Sequence, residues 1–203
     1  MIKHWYHIIV NARCTWLHGD PRGFRSRWHR IHSSGDYKNR PPKSEHAGLH
    51  RWHVERSHEP VRFEEHIRIE VVRAFVQKCE SLEHRIIACS CGAEHVHSLI
   101  EVSGDYAEVR KEVGKMKQKV SHALRDVLPG AIWASGGQYK RIVDVKHLHA
   151  TYAYIRHKQE HGAVVWSHRD EENWIADETQ GVIFMSRGHK RIRVFGVPQT
   201  PGV

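Results

Sequence analysis

The sequence predicts an α+β fold: a ferredoxin-like sandwich in which an antiparallel four-stranded sheet carries helices on one face. Short runs rich in β-branched residues alternate with long amphipathic segments, and the first six elements follow the order strand, helix, strand, strand, helix, strand. That order is typical of the split β-α-β motif, which packs as two layers around one core. A chain of 203 residues is long enough for one such domain with an arm and a tail.

The N-terminal part of the chain predicts one strand and an irregular arm. Residues 5–12, WYHIIVNA, are rich in β-branched and aromatic side chains, as strands are. A Gly-Asp-Pro-Arg-Gly turn then opens a polar, basic and Pro-containing segment. We expect this segment, residues 18–58, to lack regular structure.

The middle of the chain predicts two helices and a β-hairpin. Apolar residues recur at steps of three and four residues between 61 and 82, which indicates an amphipathic helix of about 20 residues. Residues 84–91 and 94–102 are β-like runs joined by a tight connection at Gly92, as in a hairpin. A second amphipathic helix follows over residues 109–127 and ends before Pro129-Gly130.

The last predicted elements are a fourth strand and a third helix. Residues 138–145, QYKRIVDV, favour the strand, and residues 148–162 favour a helix that ends at Gly162. Beyond about Glu172 the periodicity fades, and the final stretch is basic. We therefore expect one domain over residues 1–172 and a basic tail over residues 173–203.

The charge balance favours a polyanionic partner. The net charge is +9 with histidine neutral and the pI is about 9.6, which suits phosphate contacts on nucleic acid first and an anionic membrane surface second. The sequence shows neither an apolar run of about 20 residues nor a cleavable leader pattern, so we expect a soluble, cytoplasmic protein that does not enter a membrane. Four cysteines without C-x-x-C spacing fit a reducing compartment.

Two histidines, His95 and His97, are separated by a single residue on the second strand of the predicted hairpin. Side chains two apart on a strand share a face, about 7 Å from each other, so the two imidazoles can share a metal ion. The alternative is a pair of hydrogen-bonded or solvated strand histidines. Among 20 histidines chance alone yields about two H-x-H pairs, so the spacing by itself is weak evidence.

Four blocks of sequence, in this order, give the chain a family resemblance: YHIIVNARCTWLHGDPRG, then HRIIACSCGA followed by EHVHSLIEV, then IWASGGQYKRIVD, and finally YIRHKQEHG. Together they resemble the REP-associated tyrosine transposases, a group of single-tyrosine transposases in the HUH superfamily. The fold of that family is the ferredoxin-like sandwich predicted above.

The resemblance implies a metal-dependent endonuclease and strand transferase that acts on single-stranded DNA, usually at or beside a hairpin. His95 and His97 would hold Mg²⁺ or Mn²⁺ on the scissile phosphate. Tyr154 would be the nucleophile and would form a 5′-phosphotyrosine intermediate, whereas Tyr152 would pack. Without the resemblance, a helical tyrosine is more often a packing residue. Relatives act as dimers or monomers, so a homodimer is allowed.

The chain departs from the family at the third metal ligand. An Asn or Gln follows the nucleophile by four residues in the family, but Lys158 stands there, and an ammonium is a poor ligand for a hard cation. His157 shares the helix face of Tyr154 and is the first substitute, with Gln159 close behind. Two alternatives to a substitute ligand remain: Lys158 binds the phosphate directly, or the metal site is degraded.

A second departure lies just before the histidine pair, where the family often has Pro-Asn or Pro-Asp and this chain has Gly92-Ala93-Glu94. These departures motivate the alternative function: a domesticated hairpin-binding protein that no longer cuts. A His-rich metal-binding protein without a nucleic-acid role is the third hypothesis.

Basic residues on the second predicted helix are candidate contacts for the DNA backbone. With Lys158, the DNA-binding candidates are Arg110, Lys115, Lys117 and Lys119. The alternative for the helix residues is an ordinary solvated face.

Overall fold

The computed structural model describes residues 3–24, 32–35 and 39–170, and the backbone of residues 183–185 and 191–193. One sheet contains five strands: β1 (Lys3–Asn11), β2 (Arg85–Cys91), β3 (His95–Ser103), β4 (Gln138–Arg141) and β5 (Val164–Ser167). The helices of the described part are α1 (Ala47–Arg56), α2 (Glu65–Ser81), α3 (Tyr106–Ala123) and α4 (Val145–His157).

The strands pair in the order β4-β1-β3-β2-β5, and every pair is antiparallel. The α+β class, the antiparallel sheet, the β2-β3 hairpin and the order of the six core elements are confirmed. The sheet has one strand more than predicted, because Val164–Ser167 pairs with the outer edge of β2. A strand of four residues, VVWS, is too short to show a periodicity in the sequence.

The main core lies between the sheet and the helices α2 and α3. Alternate side chains of β1, such as Ile8 and Val10, are fully buried there, and so are Val96 and Ile100 of β3. The two helices contribute apolar stripes at the spacing that the sequence predicts: Val71, Val72, Phe75 and Cys79 from α2, and Val109, Val113, Met116 and Val120 from α3. This layer is the sandwich expected from the element order.

Helix α4 packs on the opposite face of the sheet, which corrects the prediction of helices on one face. Its buried Ile155 contacts a small second cluster formed by Ala88 of β2 and Leu99 of β3. Leu99 alternates with the core residues Val96 and Ile100 along β3, so it points to the other side. Element order alone does not show on which face a helix beyond the six-element motif packs.

The ends of β4 and α4 also differ from the prediction. The side chain of Asp144 accepts a hydrogen bond from the backbone nitrogen of His147 at 2.6 Å and thereby caps α4. The strand therefore ends at Arg141, before the predicted Val145. The helix ends at His157 rather than continuing to Gly162, which has a positive φ of 75° in the turn that follows.

The predicted arm contains a helix, α1, which corrects the expectation of an irregular segment over residues 18–58. None of the residues of α1 is buried, so the sequence shows no apolar stripe there. The helix lies against the turn at Gly19, where a β-carbon would come within 2.6 Å of the backbone nitrogen of His50. Glycine is required there because of this close approach and its φ of 80°.

The predicted tail, residues 173–203, lies mainly outside the described residues. Within it, the backbone forms two short antiparallel strands, β6 (Ile183–Met185) and β7 (Arg191–Arg193). In the described part of the chain no helix combines the length and the apolar character that crossing a membrane requires. All four cysteines are free, and burial raises the pKa of Cys79 to about 12, so that its thiol stays protonated.

We expect Ile155→Ala to destabilise the protein by about 2–4 kcal/mol, because Ile155 is the buried anchor of α4 and its truncation leaves a cavity. The measurement is urea unfolding followed by circular dichroism. Val145→Ala on the same helix is the matched control; its side chain is 67% exposed, and the change should stay within about 0.5 kcal/mol. Equal effects of the two substitutions would contradict the packing described for α4.

Candidate active site

Strand β3 presents His95 and His97 on the face of the sheet that carries α4. Both residues are an even number of positions from Leu99, so their side chains point to the same face as Leu99, which packs with Ile155 of α4. Their ring centres lie 4.8 Å apart with the ring planes nearly perpendicular, at 89°. His97 is almost fully buried and His95 is half-buried. The two rings are therefore packed beside each other on one face of the sheet and are not simply solvated side chains.

Helix α4 brings Tyr154 to this histidine pair. The tyrosine ring lies 5.4 Å from the ring of His97, in an edge-to-face arrangement at 82°, and its side chain is 42% exposed. It is adjacent to the buried Ile155 and so lies at the border between the packed face of α4 and solvent. The phenol is thus close to the imidazoles and open to solvent.

Tyr152 has a different environment from Tyr154. Its hydroxyl lies 2.6 Å from the hydroxyl of Ser167 on β5 and accepts a hydrogen bond from Arg156 at 2.9 Å. Its ring packs against the second apolar cluster. The structure therefore places Tyr152 among packing residues and Tyr154 beside the histidine pair.

A third histidine, His7 of β1, joins the pair, and the sequence did not single it out. Its Nε2 lies 3.0 Å from Nδ1 of His97, and its ring lies 6.0 Å from that of Tyr154. His7 is not directly opposite His97, because Ile9 occupies that position; the two histidines are diagonal neighbours across the β1-β3 ladder. Finding this contact requires the register of the two strands, which periodicity does not supply.

The three histidines are held neutral by their surroundings. Burial lowers the pKa of His97 to about 2, with further repulsion from His95 and His7. Burial also lowers the pKa of His7 to about 4, with the positive charge of Lys140 as the next cause, and it lowers the pKa of His95. Neutral imidazoles keep a lone pair, which is the form that binds metal ions.

The candidates for a third metal ligand lie at the end of α4. His157 is its last residue and is exposed, one turn beyond Tyr154. Gln159 is buried, and its side-chain nitrogen donates to the backbone oxygen of Tyr154 at 3.0 Å, so this amide closes the end of the helix. Lys158 is exposed at the C-cap, and its backbone nitrogen also donates to that oxygen, at 2.9 Å.

Two carboxylates that the sequence analysis did not propose hold the segments around His95. Glu160, in the turn after α4, accepts a hydrogen bond from the backbone nitrogen of Ala93 and so ties this turn to the connection before β3. Glu94 forms ion pairs with Arg22 and Arg62, each at 2.8 Å, and so joins the arm to the start of β3. Both contacts join segments that are distant in sequence.

The basic residues of α3 lie on the other side of the sheet from the histidines, because α3 packs on the core face. Arg110 and Lys119 are exposed, and Lys115 is paired with Glu112 at 2.7 Å. Lys117 differs from them: its ammonium donates to the backbone oxygens of Ala134 at 2.7 Å and Gly136 at 3.1 Å. The structure therefore does not bring these predicted DNA contacts to Tyr154.

Two further polar residues do lie on the histidine face. Lys140 of β4 is exposed and directly opposite His7 in the β1-β4 ladder. Asn11 of β1 is directly opposite His95 in the β1-β3 ladder, so its amide lies on the same face as that imidazole. Neither was apparent from the sequence, since their proximity depends on strand register.

In the described part of the chain no group of three or more His, Cys, Asp or Glu side chains forms a metal site. His95 and His97 nevertheless supply two neutral nitrogen donors at adjoining positions on one face. Such a pair fits a divalent ion whose other ligands are amide, phosphate or water oxygens. The donor set is therefore compatible with an ion bound together with a substrate phosphate.

A family model described as IS200-like transposase matches residues 46–158, more than half of the chain. This match confirms the resemblance that the sequence motifs indicated. No curated protein matches the chain. A solved structure of a REP-associated tyrosine transposase bound to a REP hairpin is similar, with 15% identity, a TM-score of 0.43 and 76% of this chain covered. The chain spans 66% of that structure's length, slightly under two thirds.

We expect Lys117→Met to lower the free energy of unfolding by about 1–3 kcal/mol, because it leaves two backbone oxygens without their charged donor. Lys119→Met, on the same helix and exposed, should change it by no more than about 0.5 kcal/mol. Thermal and urea unfolding of both variants measure the difference. A Lys117 variant as stable as the wild type would contradict a structural role for this lysine.

Proposed function

This chain belongs to the IS200-like transposase family, and we propose that it cleaves and rejoins single-stranded DNA at or beside a hairpin. The observation that supports this function best is the exposed Tyr154 beside His97, with His95 next to it, on one face of the sheet. A nucleophile that is open to solvent and adjoins two neutral metal-binding imidazoles is suited to attack on a phosphodiester.

The proposed reaction is a transesterification at phosphorus. The phenolic oxygen of Tyr154 forms a bond to the phosphorus and loses its proton to solvent. The bond from phosphorus to the 3′-oxygen breaks, and that oxygen takes up a proton from solvent and leaves as a 3′-hydroxyl. The 5′ end stays attached to the enzyme as a phosphotyrosine. Since the phosphodiester is exchanged and not hydrolysed, a 3′-hydroxyl can later attack the phosphotyrosine and rejoin the DNA without ATP.

His95 and His97 would hold the divalent ion, Mg²⁺ or Mn²⁺. When bound, this ion would polarise the scissile phosphate and favour loss of the phenolic proton. For the third protein donor we keep the candidates His157 and Gln159 and add Asn11, whose amide oxygen is the kind of ligand that the family takes from the helix. Asn11 has the advantage of lying directly opposite His95.

We propose that the DNA near the cut crosses the α4 face between Lys140 and Lys158. Both lysines are exposed, and Lys140 lies beside His7. The β4 edge of the sheet adjoins α3, as the 5.3 Å separation of the Tyr106 and Tyr139 rings shows. A duplex stem that extends past this edge would reach the exposed Arg110 and Lys119 of α3, and the partly buried Lys115 that pairs with Glu112.

The second candidate function is a hairpin-binding protein with impaired catalysis. The observation that favours it is the exposed Lys158 at the C-cap of α4, where the family has an amide. Such a protein would bind the same DNA without forming a covalent link. The experiment on Tyr154 below separates the two functions.

We expect wild-type protein, incubated with Mn²⁺ and end-labelled hairpin DNA from the flanks of its gene, to form a covalent protein–DNA adduct. Tyr154→Phe should abolish the adduct and keep DNA affinity within about threefold, since the substitution removes only the hydroxyl. Tyr152→Phe is the matched control and should retain the adduct. A denaturing protein gel gives the result. Tight binding without any wild-type adduct would favour the impaired hairpin-binding protein.

Lys140→Gln should weaken the binding of an unpaired oligonucleotide about 3- to 10-fold at 0.1 M salt and reduce the salt dependence by about 0.7 in log–log slope, because one phosphate contact is lost. Lys119→Gln should leave that oligonucleotide's binding unchanged and weaken binding only when a duplex stem is attached. Fluorescence anisotropy across a salt series measures both. Identical effects of the two substitutions on both ligands would contradict the proposed path.

A further inference from the structure

We propose that His7 is a positioning residue that accepts a hydrogen bond from Nδ1–H of His97 and so leaves Nε2 of His97 free to bind the divalent ion. The inference rests on the proposed function, because it assumes that His95 and His97 bind this ion. It adds a role for β1, a strand that contributes none of the sequence-predicted site residues.

The geometry of the two rings is that of a linear hydrogen bond. The nitrogens lie 3.0 Å apart, and the ring centres lie 5.2 Å apart with 29° between the planes. Because each ring nitrogen lies about 1.1 Å from its ring centre, a linear N–H···N contact of this length places the centres about 5.2 Å apart. The two imidazoles therefore meet end to end and not face to face.

The same distances argue against His7 as a third ligand. Two imidazoles bound at right angles to one octahedral ion, each about 2.2 Å from it, would bring their ring centres to about 4.7 Å. Their inner nitrogens would point at a common centre instead of at each other. The observed 5.2 Å separation fits the hydrogen bond and not the shared ion.

The hydrogen bond has a chemical consequence for His97. A neutral imidazole has one N–H, and the nitrogen that keeps the proton is set by the partner it donates to. With Nδ1 of His97 donating to Nε2 of His7, the lone pair of His97 stays on Nε2. Partners of this kind orient metal-binding histidines, and their loss typically costs about 10- to 100-fold in metal affinity.

The first test is the tautomer of His97 in the metal-free protein, observed by two-dimensional NMR of ¹⁵N-labelled imidazoles. The His97 signals are assigned by their loss in His97→Gln. We expect a protonated Nδ1 and an unprotonated Nε2 in the wild type, and a mixture of tautomers in His7→Leu. A proton on Nε2 in the wild type, or a wild-type pattern in His7→Leu, would overturn the proposal.

The second test is the affinity for Mn²⁺ without DNA, measured by electron paramagnetic resonance of the free ion. His7→Leu should bind Mn²⁺ about 10- to 100-fold more weakly than the wild type, whereas His7→Gln should recover most of the affinity, because its amide oxygen can accept near the position of Nε2. Unfolding curves show whether either variant has lost its fold.

The matched control is His4→Leu. His4 lies on the same strand but on its other face, where its Nδ1 lies 3.1 Å from the guanidinium of Arg141, and its removal should leave Mn²⁺ affinity unchanged. Weakening as large as that of His7→Leu would point to a general effect on β1 and overturn the specific role.

The two proposals fail in different ways. A wild-type protein that forms no adduct with DNA but shows the His97 tautomer and the His7-dependent Mn²⁺ affinity contradicts the proposed function and supports the role of His7. If the wild type forms the adduct but His7→Leu binds Mn²⁺ as tightly as the wild type, the proposed function is supported and the role of His7 is contradicted.

Discussion

The two-residue period of β3 sends successive side chains of this strand to opposite faces of the sheet. Val96 and Ile100 point into the core beneath α2 and α3, while His95, His97 and Leu99 point to α4. A shift of one residue in the pairing of β3 would exchange the two sets and bury both imidazoles in an apolar core. The register that lets the protein fold is therefore also the register that forms the candidate site.

One face of the sheet carries the main apolar core, and the other carries the histidines and Tyr154. The face toward α2 and α3 contains most of the buried apolar side chains among the described residues. The face toward α4 has a small buried cluster of Ala88, Leu99 and Ile155. Leu148 and Tyr152 of the helix also pack against this cluster, while Asp144 caps its start and Gln159 closes its last turn. Apolar and polar contacts thus both hold the helix that carries Tyr154.

Periodicity was sufficient for some features of the site and not for others. The period of β3 was enough to place the histidine pair on one strand face, whereas only the family resemblance singled out Tyr154. His7, Lys140 and the face occupied by α4 were not predictable, since they depend on which strands pair and in which register. Helix α1 buries no side chain and therefore shows no apolar pattern in the sequence. Lys117, which was predicted to contact DNA, instead donates hydrogen bonds to two backbone oxygens.

The carboxylate of Glu94 gives a physical reason for one departure from the family. It binds Arg22 of the arm and Arg62 before α2, immediately ahead of His95. Family members with Pro-Asn or Pro-Asp at this point have a shorter acidic side chain or none. In this chain Glu94 thus joins the arm to the connection before the histidine pair through ion pairs. Loss of the Glu94 carboxylate would remove the ion pair of Arg62 and one of the two ion pairs of Arg22, which would keep its 2.7 Å contact with Asp20.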